Sequence, residues 1–201
     1  MDPRIRKTIG VLSGVVLVAV LVMIFWWPPA PTIVLVIRHA ERNDGAPACT
    51  PATIYMRANP PLALDTAGES PRAKALAHVA GEAGLAAIYA GEFCRTQQTV
   101  QPLATQIGLA VTVVNQFAVD GSVNVDDVVT QIKSHKGKVV LVAGHTNTVP
   151  VIIDKLGGGT ITAIPEDDFD NMYVVRIPRW LGKTKVVRLK YRGRRRLGHM
   201  T

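Results

Sequence analysis

TIVLVIRHAERND (32–44) begins as an apolar run and ends in ionisable side chains. A strand with one wet face alternates apolar and polar residues, and TIVLVI (32–37) does not. It therefore predicts a strand covered on both faces, as in a largely parallel sheet flanked by helices. AIY (87–89), VTVV (111–114) and KVVLVAG (138–144) have the same character.

Helical patterns lie between these strands. Ser70 is a candidate cap with Pro71 at the first helical position, ahead of RAKALAHVAGEAG (72–84). TQQTVQPLATQIG (96–108) places Val100, Leu103 and Ile107 in register. Asn124 is a candidate cap for VDDVVTQIKSH (125–135), and NTVPVIIDKLGGG (147–159) runs into helix-stopping glycines. NMYVVRI (171–177) and TKVVRLKYR (184–192), separated by Pro178 and Gly182, predict a hairpin or edge pair. The expected architecture is α/β, a three-layer α/β/α sandwich with a central, mostly parallel sheet, preceded by one transmembrane helix.

That helix is read from TIGVLSGVVLVAVLVMIFWW (8–27), which carries no charge and is long enough to cross a hydrocarbon core of about 30 Å. Arg4, Arg6 and Lys7 precede it and Trp26 and Trp27 close it, which predicts a cytoplasmic N-terminus and an extracytoplasmic domain, periplasmic in a bacterium. Its length and the PPAP (28–31) that follows favour an uncleaved anchor over a signal peptide. The expected division is anchor and stiff spacer at 1–31, a domain at 32–192 and a basic tail at 193–201.

The formal charge of +8 is unevenly placed: residues 176–201 hold ten Lys and Arg and no acid, whereas residues 32–175 carry a net −4. A mildly acidic body with a basic tail argues against a nucleic-acid-binding core, and the tail suits an anionic membrane surface or a solvated end. The two cysteines, Cys49 and Cys94, have no metal-ligand spacing, and their pairing is left open.

In an open α/β sheet, ligands bind outside the carboxyl ends of the strands. The first strand delivers Arg38 and His39 to that edge; AIY leads through AGEFC to Arg95; KVVLVAG ends at His145. Singly, each has a bland explanation: a histidine after a strand is ordinarily a loop residue, and Arg95 could pair with Glu92 on a helix surface. Their conjunction at one topological position on different strands suits a phosphoryl group, which planar guanidinium forks bind bidentately. A histidine whose other ring nitrogen is tied to a carbonyl presents a lone pair that can attack phosphorus.

IVLVIRHAER (33–42), LALDTAGESPRAKALA (62–77), AIYAGEFCRTQQTVQPLA (87–104) and VVLVAGHTNTVPVII (139–153) resemble, in order and spacing, the motifs of the histidine phosphatase superfamily, phosphoglycerate-mutase-like branch. The resemblance covers residues 33–175. It implies His39 as a phosphorylated nucleophile, Arg38, Arg95 and His145 as a phosphate pocket, and no metal or organic cofactor. Ala40 stands where the family usually has Gly, and Arg72 and Ala73 lie one residue further from Gly68 than usual. Larger members place a Glu where this chain has Val119. Asp120 beside it is then the first candidate for protonating the leaving group, with Glu92, or a leaving group needing no acid, as alternatives.

The short segment between Arg95 and His145 favours a hydrolase over a mutase. RHAER behind a single anchor is similar to the lipopolysaccharide core heptose phosphatases, implying a phosphorylated small-molecule or envelope substrate. Small phosphohistidine-protein phosphatases are an alternative of similar length. A non-catalytic envelope module that binds phosphorylated ligands is the second class of function. Glu166, Asp167, Asp168 and Asp170 form an acidic loop, read as a solvated turn or as a contact for a metal or amine.

Overall fold

Residues 32–37 form the centre of a six-stranded sheet in the computed structural model of the chain. The structure describes residues 13–20, 22–23, 29–47, 49, 59–65 and 67–191. It divides into two units, Met1–Ala30 and Pro31–Thr201. In the first, residues 13–20 and 22–23 are helical. Among the described residues no helix is long and apolar enough to cross a membrane. Much of the expected anchor at 8–27, and the tail from 192 onward, lie outside the described residues.

The second unit contains strands β1 (Thr32–Arg38), β2 (Leu85–Ala90), β3 (Val111–Val113), β4 (Val139–Gly144), β5 (Asn171–Ile177) and β6 (Lys185–Lys190). Their order in the sheet is β3-β2-β4-β1-β5-β6. The helices are α1 (Pro71–Ala80), α2 (Cys94–Ile107), α3 (Asp126–Ser134) and α4 (Thr148–Ile153). Alternation along β1 explains its apolar run. Val34 and Val36 enter a core with α3 and α4, including Val128, Ile132, Val149 and Ile152. Leu35 and Ile37 enter the opposite core with Leu76 of α1 and Val100 and Leu103 of α2. Every inward position on both faces is dry, so no polar alternation remains.

The α/β/α layering follows, but the sheet is mixed. β1 pairs in parallel with β4, β4 with β2, and β2 with β3, whereas β5 is antiparallel to both β1 and β6. The chain after α4 is held against the carboxyl edge of the sheet, where Arg38 Nη1 donates to the Pro165 and Asp168 carbonyls at 2.9 and 3.3 Å. It thus enters β5 from that edge and runs opposite to β1.

Ser70 caps its helix as expected, whereas the cap position of α3 falls on Val125, which makes no side-chain cap bond, and Asn124 stands one residue before it in a local turn. Ser70 Oγ accepts from Ala73 N–H at 3.3 Å with Pro71 at the helix start, and Asn124 Oδ1 accepts from Asp126 N–H at 3.2 Å.

The excursion after β1 is fastened to the start of α2. Cys49 and Cys94 form a disulfide across a sequence separation of 45. Asn59 reinforces it: its carbonyl accepts from Cys49 N–H and its Oδ1 from Cys94 N–H, both at 3.0 Å. Closing a loop of this length stabilises the fold by about 4 kcal/mol on chain-entropy grounds. Urea unfolding with and without reductant should differ by up to that amount; coincident curves would mean that the remaining contacts already fix the excursion.

Candidate active site

The register of β1 on β4 places the ionisable residues. Arg38 is opposite Gly144, and His39 N–H donates to Gly144 O at 2.9 Å, so His39 and His145 emerge side by side. Their ring centroids are 5.1 Å apart. β2 lies on the other side of β4 with Ala90 opposite Ala143, and α2 begins at Cys94, which brings in Arg95. Arg95 Nη2 meets His145 Nδ1 at 3.5 Å. Arg38, His39, Arg95 and His145 are all buried and gathered at the carboxyl edge.

His39 is held by a backbone clamp. Its Nδ1 lies 2.7 Å from Ala40 O, so that nitrogen carries the proton and Nε2 carries the lone pair. Ala40 is itself fixed, because its N–H donates at 2.8 Å to Thr99 Oγ1, which donates to Arg95 O at 2.7 Å. Thr99 is a positioning residue that the motif reading overlooked, although its place four residues after Arg95 puts both on one helix face.

Burial, with Arg95, Arg38 and Arg42 adding repulsion and the Ala40 carbonyl partly opposing, lowers the pKa of His39 from 6.5 to about 3. The ring should therefore remain the neutral Nδ1–H tautomer through the ordinary histidine titration range. Nitrogen-detected NMR of the free protein tests this, and an apparent pKa near 6.5 would contradict it. The same shift costs stability in acid. Between pH 6.5 and about 3 the unfolded chain takes up a proton that the folded site refuses, so the contribution is intact above that window and is lost as pH falls through it.

His145 is set by a polar relay. Its N–H donates to Thr148 Oγ1 at 2.8 Å, Thr148 donates to Gln116 Oε1 at 2.7 Å, and Gln116 Nε2 donates to Ala143 O at 2.9 Å. Gly144 lets this relay approach, since a Cβ there would stand 2.5 Å from Thr148 Oγ1 and 2.8 Å from Gln116 Oε1. Phe93 and Phe117 pack on the His145 ring at 5.1 and 5.5 Å between centroids.

The arginines carry unspent donors. Arg38 Nε and Arg95 Nε and Nη1 are buried without a hydrogen-bond partner. Buried donors left so cost free energy that an anion's oxygens would recover. Burial also lowers both guanidinium pKa values, that of Arg95 to about 10, where Arg42 and Arg38 repel it and Asp44 and Glu92 oppose the fall. Both remain charged at neutral pH. Arg38 is additionally stacked on Phe169 at 3.9 Å and paired through Nη2 with Glu166 at 3.3 Å.

Asp120 does not join this group. It is fully exposed at the tip of a turn, where Ser122 N–H and Oγ both donate to its Oδ1 at 2.9 and 2.7 Å. Those bonds lower its pKa, favouring the carboxylate over the acid a leaving group requires. Glu92 is better placed: Oε2 accepts from Gln116 N–H at 2.9 Å, Oε1 is buried without a partner, and its charge acts on Arg95. The acidic loop is not simply solvated, because Arg38 and Lys190 hold it, the latter on Asp168 and Asp170 at 2.5 and 2.6 Å.

No family model and no curated protein matches the chain. Among solved structures it is similar to the protein histidine phosphatase SixA complexed with tungstate, at 19% identity and TM-score 0.55, over 79% of this chain and 97% of that one. It is also similar to a mycobacterial glucosyl-3-phosphoglycerate phosphatase, at 13% identity and TM-score 0.51, over 80% of this chain and 98% of that one. At these identities the likeness is one of fold, and the mixed α/β sheet matches the phosphoglycerate-mutase-like fold.

Proposed function

We propose that the domain hydrolyses phosphomonoesters through a covalent phosphohistidine on His39, with no resident metal or organic cofactor. The observation that carries this reading is the neutral, clamped His39, whose Nε2 lone pair stands among Arg38, Arg95 and His145. Nonbridging phosphate oxygens accept from Arg38 Nε, Arg95 Nε and Nη1, and the Nε2–H that His145 carries when its Nδ1 accepts from Arg95. His39 Nε2 attacks phosphorus; the P–N bond forms as the ester P–O bond breaks, and the leaving oxygen keeps the electron pair and takes a proton. Glu92, rather than Asp120, is the candidate donor of that proton. Water then attacks phosphorus and gives a proton to the Glu92 carboxylate left by the first step; the P–N bond breaks with its pair returning to Nε2, and inorganic phosphate departs. Preorganised cations supply most of the stabilisation in such a transfer.

Phosphate release from an aryl phosphate in the presence of a chelator, inhibited by vanadate, is the expected result. Phosphate binding without release would support the non-catalytic module instead, and a rate that requires added metal would contradict the reading.

Glu166 tunes substrate binding in this account. It is 81% exposed, and it competes for Arg38 while also accepting from Thr146 Oγ1 at 3.4 Å. Removing an exposed competitor of this kind is worth about 0.2–1 kcal/mol. Glu166→Gln should accordingly lower KM by about 1.4- to fivefold with kcat nearly unchanged, as steady-state kinetics would show.

The two named neighbours differ in what they are said to act on, so fold alone does not select a substrate. An envelope or lipopolysaccharide-type phosphomonoester fits an extracytoplasmic domain held by an anchor at 8–27. The Cys49–Cys94 disulfide supports that compartment, because such bonds persist in oxidising surroundings. Rapid alkylation of intact cells should find both thiols protected; modified thiols would place the domain in a reducing compartment.

A further inference from the structure

The hairpin that joins β5 to β6 exposes an apolar tip. Trp180 is 60% and Leu181 is 96% accessible, and Gly182 turns the chain at φ 121°. Arg179 and Lys183 flank the pair, and Arg176 and Lys185 lie at the facing ends of the two strands; all four are exposed. Among the described residues none of these four is in a salt bridge, and no acid occurs from 176 onward. The apolar character continues along the sheet edge: Val187 and Leu189 of β6 are 54% and 48% accessible and, with Lys185 at alternate positions, share one face.

Edge strands often carry cations that block pairing with another chain. That accounts for Lys185 and Arg188, but not for a Trp–Leu pair projected into water, which works against solubility. An indole beside an aliphatic side chain, ringed by cations, matches the chemistry of a bilayer interface, where Trp sits at headgroup level and basic residues meet anionic lipid.

We propose that the β5–β6 tip is a membrane-docking element, with Trp180 and Leu181 entering the headgroup region of an anionic phospholipid surface and Arg176, Arg179, Lys183 and Lys185 pairing with lipid phosphates. The inference does not depend on chemistry at His39. It assigns the domain a lipid contact of its own, separate from residues 8–27.

The test uses the full chain with W26F and W27F, which leaves Trp180 the sole tryptophan of three, reconstituted in vesicles of phosphatidylcholine alone or with phosphatidylglycerol. In the anionic vesicles Trp180 emission should shift to the blue, be quenched by brominated acyl chains and be protected from iodide; in neutral vesicles it should not. Each cation contributes roughly a fivefold factor, so Arg179→Gln with Lys183→Gln should weaken docking about 25-fold, and Leu181→Asp should abolish it. Water-like, iodide-accessible emission in anionic vesicles would overturn the proposal, as would an equal shift in neutral lipid. A concentration-dependent shift without lipid would make the tip a self-association face instead.

Discussion

Replacing His39 with Ala is expected to lower kcat by at least about 10^4-fold, the scale on which removal of a nucleophile acts, while the domain stays folded. Among the described residues His145 is the imidazole nearest His39, and it does not inherit the role. His145 Nδ1 accepts from Arg95, and its backbone is locked by Thr148 and Gln116. Its lone pair is thus spent on a guanidinium, whereas that of His39 is not. The substitution removes one hydrogen bond, to Ala40 O, worth about 1 kcal/mol, so the melting temperature should fall by only a few degrees near neutrality. In acid the order should reverse. The wild-type fold refuses a proton that His39 takes up when unfolded, so the variant should lose less stability between pH 6.5 and about 3. That crossing separates loss of a nucleophile from loss of structure. Retained turnover with an unaltered acid profile would mean that the buried ring is only packing.

Arg95→Ala should be the next most damaging change, lowering kcat/KM by about 10^2- to 10^3-fold, as loss of one preorganised oxyanion donor does. Arg95 has two duties. It offers Nε and Nη1 to an anion, and through Nη2 it sets the His145 tautomer. Arg95→Lys should recover little, because an ammonium cannot donate in a fork and hold His145 together. Phosphate affinity, read by isothermal titration, should fall in both variants. A lysine variant with full activity would reduce Arg95 to a point charge and remove the geometric argument. Arg95 is also the residue next to Cys94, whose disulfide ties the excursion to the same helix turn, so the kinetics should be measured with the bond intact.

Much of this arrangement was legible before the structure, and for a definable reason. A strand that packs on both faces leaves a continuous apolar run, and the residues that end it must lie at the sheet edge. Arg38, His39 and His145 were readable on that basis, and the register of β1 on β4 turned their sequence positions into neighbours. Local chemistry was readable too, as at Ser70, because a cap involves residues only three apart. Long-range choices were not. The antiparallel direction of β5 goes with a return of the chain to the carboxyl edge, where Arg38 donates to carbonyls 127 and 130 positions away. The pairing of Cys49 with Cys94 depends on where the excursion folds back. Asp120 shows the opposite case: the motif does not carry its local contact, a serine two residues on that holds the carboxylate at an exposed turn tip. Gln116 reaches Ala143 only once β4 is in place, and Thr99, which bonds Arg95 within its own helix, accepts from Ala40 only once α2 packs beside β1.

The proposed mechanism turns on a covalent bond between phosphorus and His39 Nε2. Phosphohistidine survives alkali and is lost in acid, so the direct measurement is an alkaline quench during turnover of a 32P-labelled phosphomonoester, followed by peptide mapping. Label is expected on the peptide containing His39, released by acid, absent in His39→Ala and retained in Asp120→Asn. Label on another residue, or turnover with no trapped phosphoenzyme under conditions that slow its hydrolysis, would contradict it.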